Sequence, residues 1–294
     1  MQVAAHKSWT GPVTFCAVGL VLFGRLSAFE APESFFSWAL VLGEAHRLGL
    51  IFGRDIIYTG GPLSPLYTGY FQKEVFFWVA GFQVAVTAVA AVICANFARR
   101  AGLTIVPPLV LVFLFLQADV LFLLPSLLIV MLVSTDRESS GRRLLKIACA
   151  ITAAGLSLAK FTTAPFALVC FCVVDLLDLS RRRAPLALGS YILAMPAIYM
   201  AIEGDLTWFI PFLRYSWDAA LGYTSAMGIN GPIEELLLYL IATAMTSLII
   251  FKFELSLLQH RVSDLKQSAT VLIPLGLFLF VTFKLGFVRH DCHT

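Results

Sequence analysis

The chain has 294 residues, of which 59% are hydrophobic and only 13% charged, and its mean hydropathy is +0.87. A soluble domain carries roughly a quarter charged residues, so the composition excludes an ordinary soluble fold and points to an integral membrane protein. The net charge of +3 is spread over clusters that flank apolar runs, with no basic helix or arm, which argues against a nucleic-acid partner.

The first apolar run, Thr10 to Phe29, predicts a helix that starts in the cytoplasm. Lys7 ahead of it fits a signal peptide, but Arg25 late in the run and the lack of a small-x-small cleavage site favour a retained helix. A polar segment follows, Glu30 to Lys73. Within it, residues 33–50 place Phe36, Leu40 and Gly43 at helical spacing and leave Glu44, His46 and Arg47 for water, the pattern of an amphipathic interfacial helix. Pro32 and Gly60-Gly61-Pro62 bracket it as turn signals.

The next span is predicted over Glu74 to Phe97. The apolar stretch from Leu103 to Val133 is broken by Gln117-Ala118-Asp119, with Arg99 and Arg100 before it and Arg137, Arg142, Arg143 and Lys146 after it as a cytoplasmic flank. Basic flanks prefer the cytoplasm, so the stretch goes out and returns as a hairpin of short helices. The same reasoning makes Ile147 to Leu179 a hairpin, with Lys160 to Pro165 at its outer turn and Arg181 to Arg183 behind it. A seventh span, Pro185 to Ile202, leads to a second outer loop, Glu203 to Glu235. Spans over Leu236 to Phe251 and Ser268 to Phe283 complete the chain, which ends outside in "FKLGFVRHDCHT".

The expected fold is therefore all-α: a single polytopic domain over residues 1–294 with about nine transmembrane helices, some short and paired as hairpins. Thirteen Lys and Arg fall on the cytoplasmic side and six (Arg47, Arg54, Lys73, Arg214, Lys284, Arg289) outside, which supports this orientation. The odd number of spans and the charged end predict that the chain is part of something longer. Five of the six cysteines lie in apolar runs, so no disulfide framework is expected; Cys170 and Cys172, two apart on a helix, point to different faces.

Chemistry-bearing residues gather in the outer segments. Glu30 and Glu33 close the first span and Asp55 follows, carboxylates suited to a general base or a divalent metal; Glu30 and Glu33 also fit a solvated helix cap. Lys160 inside an apolar hairpin either meets an anion or snorkels to headgroups. Lys284, Arg289 and His290 beyond the last span suit a lipid-linked phosphate, or simply anchor the helix. The aromatics of the second outer loop, Tyr223 among them, fit an interfacial belt or sugar stacking. No Walker A, GxGxxG, GxSxG or HExxH motif is present, which argues against nucleotide chemistry on the cytoplasmic side.

With acidic residues after the first helix, then "GLIFGRDIIYTGGPLSPLYTGYF" and later "FKLGFVRHD", the chain resembles the GT-C class of membrane glycosyltransferases, within an uncharacterised bacterial multi-span subgroup. The resemblance runs from about residue 30 to the end, with "SLAKFTTAPF" and "GYTSAM" as weaker matches. It implies inverting transfer of a sugar from a polyprenyl-phosphate donor to a lipid or glycan acceptor at the outer face of the inner membrane. It implies Glu33, or else Glu30, as general base. Asp55 would orient the loop or help hold Mg or Mn, while Lys160, Lys284 and Arg289 would neutralise the donor phosphate. Tyr58, His290 and Tyr223 would bind substrate. Membrane lipids are the remaining partners. An O-antigen-ligase or polymerase-like enzyme, and a non-catalytic transporter or assembly subunit, are the alternatives.

Overall fold

The computed structural model describes residues 2–26, 37–69, 71–102, 104, 106–115, 118–134, 140–227, 233–234, 237–241, 243–245 and 272–282. Every regular element among them is helical: α1 (Gln2–Leu26), α2 (Ser37–Arg47), α3 (Pro65–Thr68), α4 (Phe76–Ala101), α5 (Val106–Phe115), α6 (Ala118–Ser134), α7 (Ser140–Ala159), α8 (Ala164–Ser180), α9 (Ala187–Glu203) and α10 (Phe209–Met227). One 3-10 turn, Phe161–Thr163, joins α7 to α8. The β-like pairing consists of two isolated bridges, Phe52 with Ile56 and Gly60 with Lys160.

Helices α4 and α7 form the centre. Helix α1 lies along α4, α7 packs on α4, α6 and α9, and α6 packs on α8. Small residues set the close approaches. A Cβ built on Gly155 of α7 would stand 2.1 Å from the Phe82 ring of α4, so that ring occupies the space a larger side chain would need. Buried polar groups pair across the same seams. Ser157 of α7 bonds the Tyr191 hydroxyl of α9 at 2.9 Å. Asp175 of α8 accepts the N–H groups of Ala187 at 3.0 Å and Leu188 at 2.9 Å, capping α9 where helical N–H groups lack partners.

Two of these helical stretches, Phe76–Arg99 and Phe161–Ser180, are long and apolar enough to cross a membrane. Other apolar helices, such as Ala187–Glu203 with 17 residues, reach about 26 Å at 1.5 Å per residue, at the lower end of the about 17–25 residues with which helices cross a bilayer. The stretch expected to break at Gln117-Ala118-Asp119 is divided into α5 and α6, and the one expected to turn at Lys160 is divided into α7 and α8. Helix α1 begins earlier than the first apolar run. Parts of the segments read as the eighth and ninth spans, and the whole tail, lie outside the described residues.

The structure also revises two placements. Residues 209–227, read as part of a polar loop, form helix α10. Lys146 stands not in a solvated flank but inside α7, buried against Asp178 of α8, with which it forms an ion pair. The second Asp178 oxygen, Oδ1, has no hydrogen-bond partner among the described residues.

Candidate functional site

The site is built around the loop from Ile51 to Gly69. Its first turn closes on itself. The Ile51 carbonyl accepts the N–H groups of Asp55 at 2.9 Å and Arg54 at 3.2 Å, and Gly53 donates to the Ile56 carbonyl at 3.0 Å. The Asp55 carboxylate accepts the Ile51 N–H at 3.0 Å and the Arg54 guanidinium at 2.7 Å. That guanidinium, and then the Ile51 N–H, hold the exposed Asp55 below the usual carboxylate range. A carboxylate so stabilised is a weak proton acceptor near neutral pH; here it fixes the shape of the turn.

Four elements grip the loop. The Tyr199 hydroxyl of α9 donates to the Phe52 carbonyl. One turn later on α9, Glu203 accepts the Phe52 N–H, so residues four apart hold both polar groups of Phe52. Gly53 adopts φ +93°, and a Cβ there would meet the Trp208 carbonyl at 2.5 Å and the Phe212 nitrogen at 2.7 Å, at the start of α10. Further on, Ser216 of α10 donates to the Tyr58 carbonyl at 2.9 Å.

The Gly60-Gly61-Pro62 turn docks on the α7–α8 junction. Phe161 donates its N–H to the Thr59 carbonyl at 2.7 Å, and Leu63 donates to the Leu158 carbonyl at 3.2 Å. A Cβ on Gly61 would lie 2.4 Å from that same Leu158 oxygen. On its other side the turn meets α2, where His46 Nε2 stands 2.8 Å from the Pro62 carbonyl. The bond fits a neutral imidazole donating from Nε2, and burial lowers the His46 pKa below its ordinary value.

Lys160 sits at this junction in extended backbone between α7 and the 3-10 turn. Its Nζ donates to the Tyr67 hydroxyl at 2.7 Å and lies 3.9 Å from the centre of that ring. The ring is packed edge-on against Phe122 of α6, 5.6 Å between centroids. The side chain is only half-buried; Tyr67 fixes the ammonium group's position on a supported platform.

Glu203 was not singled out in the sequence, although Tyr199 and Glu203 at helical spacing just before Gly204 give a detectable signal. It is the last residue of α9, beyond the apolar run that ends at Ile202. Burial pushes its carboxyl up to about 7, against the Phe52 N–H, which pulls it down. Its Oε1 has no partner among the described residues.

Of the residues expected to form the site, Asp55, Tyr58 and Lys160 lie on this one assembly of loop, α7–α8 junction and α10. Tyr223 falls on α10, with its side chain outside the described set. Glu30, Glu33, Lys284, Arg289 and His290 lie outside the described residues. Among the described residues the Asp55 carboxylate is engaged by Arg54 and Ile51, and no group of three His, Cys, Asp or Glu is placed to hold a metal ion. No family model, no curated protein and no solved structure matches this chain.

Proposed function

We propose that this chain is a multi-span membrane glycosyltransferase of the GT-C kind. It would move a sugar from a polyprenyl-phosphate donor to a lipid or cell-surface glycan acceptor at the outer face of a bacterial inner membrane. In this reading the N-terminus is cytoplasmic, the chain crosses the membrane about nine times, and the Ile51–Gly69 loop and α10 lie outside. The membrane placement is supported by two helices of spanning length and by large apolar side chains such as Phe77, Leu176 and Leu193 that face away from the protein.

The observation that carries the reading is the seating of Lys160. A cation is held on an aromatic platform where the outer loop, the α7–α8 junction and α6 meet. In the transfer, an acceptor oxygen forms a bond to the anomeric carbon as the bond from that carbon to the phosphate oxygen breaks. The bonding pair and its charge go to the polyprenyl phosphate, which Lys160 stabilises together with Lys284 and Arg289. The acceptor's proton goes to Glu33 or Glu30. Asp55 shapes the turn, and Tyr58, Tyr223 and His290 contact substrate. No step is routed through a metal.

One observation favours a second reading, a transporter: the Lys146–Asp178 ion pair buried between α7 and α8 is the kind of intramembrane charge that proton and ion pathways use. Transfer assays with labelled polyprenyl-phosphate sugar decide between them. Glycosyl transfer that falls in Lys160→Met but persists in a Lys146→Met/Asp178→Leu pair supports the enzyme.

A further inference from the structure

Helix α10 has two unlike faces. Phe209, Phe212 and Ser216 are buried on the loop and on Tyr199 and Phe161. On another side, Ile210, Trp217 and Leu221 are 67%, 47% and 61% exposed. At 100° per residue these three fall within a stripe roughly 40° wide. Arg214 and Asp218, both exposed, follow along one edge of that stripe. An exposed apolar stripe with tryptophan in it and a cation and an anion along one border is the arrangement of a helix lying at a lipid–water boundary. The neighbouring element agrees: Ile192, Leu193 and Met200 of α9 are exposed and apolar, and α9 leads into α10 across five residues, 204–208.

We propose that α10 lies in the plane of the outer leaflet. Ile210, Trp217 and Leu221 enter the boundary between headgroups and acyl chains, and Arg214 reaches lipid phosphate. The occupant of this face is thus a phospholipid surface, and the inference rests on the reading that α9 crosses the membrane. The consequence is mechanical as well as positional, because the opposite face of α10 holds Gly53 and Tyr58 of the outer loop. The leaflet would set the height of the loop and of Lys160 relative to lipid phosphates.

The test uses the full chain in phosphatidylcholine vesicles containing phosphatidylglycerol. The emission difference between wild type and Trp217→Phe isolates Trp217 from the other four tryptophans. The proposal expects that share to be blue-shifted, lost with lipids brominated near the headgroup end of the acyl chain, and little affected by aqueous iodide. Loss to iodide but not to brominated lipid would overturn it by placing the stripe in water. Resistance to both would overturn it by showing that protein, such as a second copy, covers the stripe. Flotation with the vesicles is read separately. A chain that does not float refutes the membrane reading itself, whereas one that floats with Trp217 open to iodide refutes only the placement of α10.

Discussion

The Tyr199 hydroxyl donates to the Phe52 carbonyl, joining α9 to a loop 147 residues earlier in the chain. The Tyr199 ring is fully buried and packs against Phe209 and Phe212. Tyr199→Phe keeps the ring and removes the bond, leaving a buried carbonyl without its donor. Such a loss costs about 1–3 kcal/mol. The variant should melt earlier in detergent than wild type and be cut faster by protease at 51–58; an unchanged Tm would show that the bond does not hold the loop.

At Gly53 the same loop packs against the start of α10. At φ +93°, with the Trp208 carbonyl 2.5 Å from where a Cβ would stand, any side chain strains the backbone and pushes against main chain. Gly53→Ala is expected to destabilise by about 1–3 kcal/mol. Gly189 in α9 has open space around it, so Gly189→Ala should be neutral or stabilising by about 0.5–1 kcal/mol. Equal effects at the two positions in thermal unfolding would contradict the packing described.

The helices could be read from the sequence wherever the signal was local. Local proline, glycine and charge signals mark the division between α5 and α6, the turn at Lys160 and the Gly60-Gly61-Pro62 turn. The missed features depend on partners distant in sequence. Lys146 resembles an ordinary flanking cation until the hairpin brings it to Asp178, 32 residues on. Helix α10 resembles a loop in the sequence because Pro211, Gly222 and aromatics on several faces blur its period. Its buried side, Phe209, Phe212 and Ser216, makes sense only against the Ile51–Gly69 loop.

The Lys146–Asp178 pair gives a prediction with a built-in control. Both side chains are buried, so Lys146→Met leaves an uncompensated carboxylate, a loss of about 3–5 kcal/mol. Lys146→Met together with Asp178→Leu should recover most of it, because an apolar pair of similar volume suits the same space. A double variant no more stable than the single would show that the charge pair itself is required.

Glu203 makes stability depend on pH. Its folded value near 7 lies above its ordinary 4.5, so the folded state binds more protons in that window. The contribution of the protonated form is complete below about pH 4.5 and is lost as pH rises through 7. His46 acts in the opposite sense: its pKa is lowered from 6.5, so its contribution is present above 6.5 and is lost as pH falls. Glu203→Gln should therefore raise Tm relative to wild type at pH 8 and change it little at pH 4.5. Parallel Tm curves for the two proteins would refute this account of Glu203.

The central claim is that Lys160 serves transfer from a lipid-linked phosphate. In proteoliposomes supplied with radiolabelled polyprenyl-phosphate sugar and membrane glycan acceptors, wild type should incorporate label. Lys160→Met, at equal expression and with Tm little changed, should lower kcat by about 10²-fold, as removal of one charge-stabilising group does. No incorporation by wild type with any donor, or full activity in Lys160→Met, would contradict the account.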